Sequence, residues 1–422
     1  MAFISDDNLA LKIINSEDAF FGDYDMTTGV TADSDFGGGS ASLSRQFGVA
    51  VAIGDGVMAV GDPNDDINLT NSGSVHLYDL NGNQINPRKL VRADAQFRIT
   101  APTQTTSANF GKEIAIGSGV IAIGDDENKV HLYTTGGEYR RTIGPPSADD
   151  QGLNGDFGSS VAIADGRIVI GEPNYDRQSP TSKTDEGAAY IFDTKGNFIK
   201  RIYSPSTEGD DHFGSSVAIG NGRIAVTQRL PGVGVGNSTR VYIYDYSGEY
   251  ITTLGNSSST YSTSLEVYPR NIAIGSGRIV CGDPDNNFDA TYGRVNVHDL
   301  SGTKLFEITP PDTEADVGFG ETVAIGCGRI IVGAPYDNVG GSGFDQGAFH
   351  VYDINGNHIQ TVTPLGGSDF SGTNLTEWSG IAIGSGKLLI GARQYQNFDG
   401  DFLGRAFLYS TPDMTHVLDI VR

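Results

Sequence analysis

The chain is poor in several things at once, and each shortage removes a class of answer. It has 2 cysteines, 1 tryptophan and 7 histidines in 422 residues. Two thiols cannot build a disulfide framework, and Cys281 and Cys327 read as free, structural thiols. Cations are outnumbered, with 28 Lys and Arg against 52 Asp and Glu, a net charge of −24. Such a chain is repelled by nucleic-acid phosphates and anionic membranes, so no nucleic-acid partner is expected. No apolar run approaches the roughly 20 residues that a membrane span needs, so no membrane insertion is expected. The start, MAFISDDNLALKIIN, has no basic segment followed by a long apolar core, so no secretory leader is read there and a cytoplasmic placement is the default. Amphipathic helical periodicity is missing as well, and short runs of Val, Ile, Tyr and Phe point to an all-β fold.

Glycine, at 58 residues, is abundant. Its use is ordered. The stretch FGETVAIGCGRIIVGAP, Phe319 to Pro335, holds two apolar runs joined by a glycine-flanked turn, a β-hairpin. One hairpin is marginal in water, so it needs stacked neighbours. Similar stretches begin at Phe47, Phe110, Phe157, Phe213, Tyr268 and Trp378. Their turn residues Gly54, Gly117, Ala164, Gly220, Gly275, Gly326 and Gly384 lie 47 to 63 residues apart, a spacing expected of a propeller or solenoid.

Each copy has a second half, such as VHLYDLNGNQI from Val75 and FHVYDINGNHI from Phe349. Asn-Gly, Lys-Gly or Ser-Gly in most of these marks a second tight hairpin. The expectation is therefore seven blades of four antiparallel strands, A to D, with an open solenoid as the weaker alternative. Residues 1–46 read as an N-terminal arm and linker, and 47–422 as the propeller. Thr415 to Val421 aligns with strand D and is expected to complete blade seven.

Phe-Gly at the start of the hairpin and Gly-Ala-Pro at its end resemble the FG-GAP repeat of integrin-type propellers. The resemblance spans roughly residues 47–420. Calcium-binding members of that family carry an Asp-X-Asp-X-Asp-Gly loop between strands A and B. Here only tight turns such as Gly117-Ser118-Gly119 stand in that place, too short for a six-to-eight-oxygen cage. The resemblance is thus to calcium-free variants, and no metal or cofactor is assigned. Acid-rich stretches after strand B, such as Asp62, Asn64, Asp65, Asp66 and Asp283, Asp285, Asn286, Asn287, have two readings: a calcium site or a solvated Asx turn.

No nucleophile elbow, helical metal-ligand pair or phosphate loop is present, and no catalytic residue is assigned. His76, His131 and His350 share a strand-C register that elsewhere holds Tyr190, Tyr242, Asn296 and Phe407, which marks a packing position. Arg167, Arg223, Arg278, Arg329 and Lys387 all open strand B and form an arc near one channel mouth. Two readings apply: pairing with Asp193, Asp245, Asp299 and Asp353 at the end of strand C, or a site for an anion or partner. Long B–C loops and D–A links gather at the other end, where Tyr175, Tyr261, Tyr292, Tyr336 and Phe344 are candidate contacts. Leu9, Leu11 and Ile13 alternate like a strand that docks by strand addition, on another subunit or on an outer blade edge of its own propeller.

These features lead to a non-catalytic recognition or structural module. The concrete expectation is a virus-particle protein, such as a bacteriophage tail or capsid-associated component, contacting protein partners or a cell-surface receptor. A surface adhesin or glycan-binding protein is the rival, and an enzyme acting on polysaccharide comes third.

Overall fold

The computed structural model describes residues 12–15, 46–66, 69–82, 85, 98–146, 155–176, 184–205, 212–230, 237–254, 261–263, 272–284, 293–311, 318–337, 347–362, 378–392 and 405–410. The described residues hold no helix, and their strands form seven antiparallel sheets. Alternating apolar residues make each hairpin, and glycine at a positive φ turns it. In blade one, β2 (Val51–Gly54) turns through Asp55 and Gly56, at φ 51° and 80°, into β3 (Val57–Asp62). β4 (Ser74–Asp79) and the two-residue β5 (Arg98–Ile99) complete it.

The order repeats. Blade two is β6 (Glu113–Gly117), β7 (Val120–Gly124), β8 (Val130–Thr134) and β9 (Tyr139–Ile143). Blade three is β10 (Ser160–Ala164), β11 (Arg167–Glu172), β12 (Ala188–Asp193) and β13 (Phe198–Tyr203). Blade four is β14 (Val217–Gly220), β15 (Arg223–Leu230), β16 (Asn237–Asp245) and β17 (Tyr250–Leu254), with β18 (Tyr261–Thr263) also pairing on β16. Blade five is β19 (Ile272–Gly275), β20 (Arg278–Asp283), β21 (Arg294–Asp299) and β22 (Lys304–Ile308). Blade six is β23 (Thr322–Gly326), β24 (Arg329–Ala334), β25 (Ala348–Asp353) and β26 (His358–Val362). The inner strands touch in sequence around a ring, and β2 closes it against β27 (Trp378–Gly384) of blade seven.

Blade seven corrects the expected closure. After β27 come β28 (Lys387–Ala392) and β29 (Arg405–Ser410), and the fourth place is taken by β1 (Lys12–Asn15). β1 pairs antiparallel with β29, Ile13 opposite Phe407 and Ile14 opposite Ala406. An unpaired β29 edge would leave ladder groups open, and a short apolar segment of the arm satisfies them. The Thr415–Val421 segment lies outside the described residues. Of the three arm residues singled out above, Ile13 is in this strand, on an outer edge of its own propeller, while Leu9 and Leu11 lie outside the described residues.

The core sits between blades. Ala50, Ala52, Ala59, Leu77 and Ile99 of blade one pack against Ile114, Ile116, Ile121 and Ile123 of blade two. Small residues on one face receive large ones from the next, and each fully buried Ile contributes about 2–3 kcal/mol. The same scheme joins blade seven to blade one, through Leu389, Ala406 and Leu408 against Val51, Met58 and Val60.

The repeat's two glycines have a packing cause. Gly111, at φ 98°, donates its amide to the carbonyl of Gly124 within blade two at 3.1 Å. The Gly111 carbonyl oxygen faces Gly61 of blade one, where a Cβ would stand 2.1 Å away. Only glycine lets the backbones meet there.

Candidate functional site

Three regions carry polar or apolar groups beyond what folding a hairpin needs. The first is buried. Phe110, Phe157, Phe213 and Phe319 are fully buried and pack against His131, Tyr190, Tyr242 and His350 of strand C, at ring distances of 5.3–5.9 Å. Beneath three of these ring pairs, those of blades two, three and six, lies an acid. His131 Nε2 is 2.8 Å from Asp125 Oδ2 and its Nδ1 is 2.9 Å from Thr142 Oγ1. His350 repeats this with Asp337 at 3.1 Å and Thr361 at 2.9 Å. In blade three the Tyr190 hydroxyl donates to Glu172. These pairs sit inside the blades, so the strand-C register is a packing position and a polar strut at once.

Blade one has a denser version. Asp62, Asp65 and His76 are all buried and place ligand atoms within 4.8 Å of one another. Asp65 is already engaged, with Arg98 Nη1 at 2.5 Å and the Ser74 hydroxyl at 2.6 Å. A cation there would compete with a guanidinium. The reading of this stretch as a solvated turn is corrected, since Asp62 and Asp65 are 2% and 8% exposed. Asp66 makes the expected local bond, accepting the Asn71 amide at 2.6 Å. Asp283 is buried and bonded to Arg294 at 3.1 Å, while Asp285, Asn286 and Asn287 lie outside the described residues.

The second region is the basic arc at the short-turn end. Arg167, Arg223, Arg278 and Arg329 stand opposite Asp193, Asp245, Asp299 and Asp353 in the strand registers. The expected ion pairs do not form. Asp193, Asp245, Asp299 and Asp353 each accept two amides of their own C–D turn, as Asp299 does from Ser301 at 2.8 Å and Thr303 at 3.0 Å. The Ser301 hydroxyl and these amides hold Asp299 below the usual carboxylate range, and the Ser247 hydroxyl and the Glu249 amide do so for Asp245. Desolvation raises Asp353, yet the bonds from Asn357 and Asn355, with the Arg329 charge, together leave it below its usual value. The turn has taken the carboxylates.

Each arginine instead donates Nη1 to the glycine carbonyl just before it. The distances are 3.3 Å for Arg167, 2.9 Å for Arg223, 3.2 Å for Arg278 and 3.2 Å for Arg329. Arg223 adds Nε to the Leu300 carbonyl of the next blade at 2.9 Å. A guanidinium has five donors, so most remain for another acceptor. Lys387 stands opposite Ser410 in the equivalent place. Inside the arc the A–B turns are latched in one rotational sense: Asp55 accepts the Gly119 amide, Ser118 that of Gly166, and Asn221 that of Gly277.

The third region was not legible beforehand. Strand D carries one extra residue near its start in five successive blades. Leu132 faces Arg141 and Tyr133 faces Tyr139, so Arg140 is the extra residue in blade two. Ile199, Ile251, Leu305 and Ile359 are its equivalents in blades three to six. All four are exposed, by 42%, 38%, 43% and 37%. A period-two reading of strand D hides them, because a bulge breaks the period.

The loop-end contacts fare differently. Tyr175 is 6% exposed, with the Arg201 guanidinium 5.0 Å over its ring, so it is local packing. Tyr261 lies on β18 opposite Thr239, and Tyr336 is half-buried with its ring against Gly318. Tyr292 and Phe344 lie outside the described residues. The channel between the inner strands is a cavity of about 300 Å³, walled in every blade by small residues such as Ala52, Ala115, Ala162, Ala218, Ala273, Ala324 and Ala382.

The FG-GAP repeat family model matches residues 147–192, which run through the first two strands of blade three into the third, and 303–352, from the last strand of blade five into the third of blade six. Among solved structures, the chain is similar to BamB from Moraxella catarrhalis, with 12% identity, 85% of this chain and 84% of that one covered, and a TM-score of 0.42. It is also similar to Raptor from Chaetomium thermophilum, with 10% identity, a TM-score of 0.54 and 89% of this chain covered. The match spans 29% of the Raptor chain, and the likeness is one of fold alone. No curated protein matches the sequence.

Proposed function

We propose that this seven-bladed propeller of FG-GAP repeats is a non-catalytic recognition and structural module of a virus particle, a tail or capsid-associated component that binds other proteins. One observation carries the reading. The histidine–acid pairs of blades two and six are committed to the interior, since His131 with Asp125 and His350 with Asp337 are at most 3% exposed and bonded on both ring nitrogens. What the molecule offers outside is a regular ring of turns, arginines and apolar side chains on a rigid scaffold, which suits protein contact. No helix among the described residues is long and apolar enough to cross a membrane. The test is to purify virus particles from the source and quantify this chain by mass spectrometry. A fixed copy number per particle, located by electron microscopy, is expected. Its absence from particles that are complete and infectious overturns the particle role.

A further inference from the structure

The exposed apolar side chains of this propeller are concentrated. Eight large hydrophobic residues are exposed among the described ones, and all but Leu69 lie in the first two positions of strand D in blades two to six. Ile199, Ile251, Leu305 and Ile359 are the bulge residues, and Phe198 and Tyr250 stand beside two of them at 47% and 53% exposure. A bulge turns a side chain out of the ladder, and four successive blades use it to present a branched aliphatic group to water. Scattered exposed apolar residues need no explanation, but a repeated belt with a polar border marks an interaction surface.

The charge around the belt selects the partner. The chain carries −24 overall, so most of its surface repels an acidic protein. The short-turn end of blades two to six differs, because the arginines that open strand B, with Arg140, Lys195 and Lys304, stand there beside the turn carboxylates. Arg140 continues the belt in blade two as an exposed cation, and the arginine arc lies inside the belt at the same end. The carboxylates beside that arc are occupied by turn amides, as described above, while the guanidiniums keep donors and are held in place by carbonyl tethers. Side chains ordered in advance lose less entropy on binding.

We infer that the short-turn end of blades two to six is a docking face for a protein segment that combines apolar side chains with carboxylates. The aliphatic belt takes the apolar groups, and Arg140 with the arc takes the acids. This deepens the recognition reading above, names the partner's chemistry, and moves the contact from the long-loop end to the opposite one.

The test uses the full chain and a fluorescein-labelled 12-residue peptide alternating Glu and Leu, followed by anisotropy at low and high salt. Two further peptides, alternating Lys and Leu or Glu and Ser, separate charge from apolar content. The Glu–Leu peptide should bind at least tenfold tighter than either, and salt should weaken it. The combined variant Ile199→Ser, Ile251→Ser, Leu305→Ser, Ile359→Ser should lose at least tenfold in affinity, with its melting curve as the check on folding. Arg140→Glu, at an exposed position, should lose a few-fold without affecting the fold. Equal binding of the three peptides, or unchanged binding by both variants, overturns the inference. So does self-association of the wild-type chain, abolished by the belt variant, or binding to anionic lipid vesicles through the belt. A chain missing from virus particles that still binds Glu–Leu through the belt loses the particle role and keeps this inference. The reverse result separates the two in the other direction.

Discussion

Glu172 accepts the Tyr190 hydroxyl inside blade three, in the place where blade two sets Asp125 against a histidine, while blade six brings its acid, Asp337, from three residues further along. Burial is the main effect on the acid and pushes its pKa up to about 7, against the lowering effect of the tyrosine bond. In blade five, burial and then the Lys304 charge push His298 down to about 4.

The two groups give opposite pH dependences. Between pH 4.5 and 7 the folded chain holds a proton on Glu172 that the unfolded chain has lost, so stability falls as pH rises through that window. Between pH 6.5 and 4 the unfolded chain protonates its histidine while folded His298 stays neutral, so stability falls as pH drops. Each effect is about 3 kcal/mol at full extent, and they offset one another near pH 5–6. Glu172→Gln should raise the melting temperature at pH 8 and leave it nearly unchanged at pH 4. His298→Phe should raise it at pH 4 only. Thermal melts across this range check both, and parallel curves for wild type and variants would refute the assignments.

Removing one member of a buried pair isolates the other. His350→Ala should cost about 3–5 kcal/mol, because the Asp337 carboxylate loses its ring partner and Phe319 loses its packing. His350→Tyr should cost less, since tyrosine fills this register in blades three and four. Urea unfolding of the two variants makes the comparison, and equal losses would contradict a shared strut.

Two glycines of blade three separate packing from backbone strain. A Cβ at Gly171 would stand 2.0 Å from the Gly214 carbonyl oxygen of the next blade, whereas at Gly166, φ 76°, it would meet nothing within 4 Å. Gly171→Ala should cost about 3 kcal/mol or more by forcing two blades apart. Gly166→Ala pays only for its left-handed backbone, about 1–2 kcal/mol. Denaturant melts rank them, and a reversed order would mean the inter-blade contact is not tight.

The arm supplies the fourth prediction. Because β1 fills the outer place of blade seven, deleting residues 1–40 should lower the melting temperature by several degrees and promote aggregation through the bared β29 edge. The double substitution Ile13→Pro, Ile14→Pro in the full chain should act similarly, since one of the two adjacent amides faces the ladder. An unchanged melting temperature in both would show that β1 contributes nothing to the blade.

Much of the ring was legible because its causes are local. Alternation in Val323 and Ile325, the glycine turn at 326–328 and seven recurrences name a four-stranded blade before any coordinate is known. Three features were not, and each depends on a competition that residue types do not record. Asp299 lies opposite Arg278 in register, but two amides four residues or fewer away reach its carboxylate first. Ile199 belongs to an alternating strand until a register shift lifts it out. Strand addition by the arm was legible in the alternation at Ile13, but its edge was not, since Lys12–Asn15 pairs with a strand almost four hundred residues later and no local pattern encodes a partner at that distance.

Considered mechanically, the propeller is a hoop. Blades one to six each draw their four main strands from one continuous stretch of chain, so tension between them passes through covalent connections. Among the described residues, blade seven alone takes its fourth strand from the far end of the chain, through a four-residue ladder with β29 that acts as a splice. Load spreading around the hoop therefore collects at that splice. Pulled from its two ends in a force spectrometer, the chain should yield there first, in a small event that frees β1 and precedes any loss of an inner blade. An initial rupture within blades two to six would place the weak joint elsewhere.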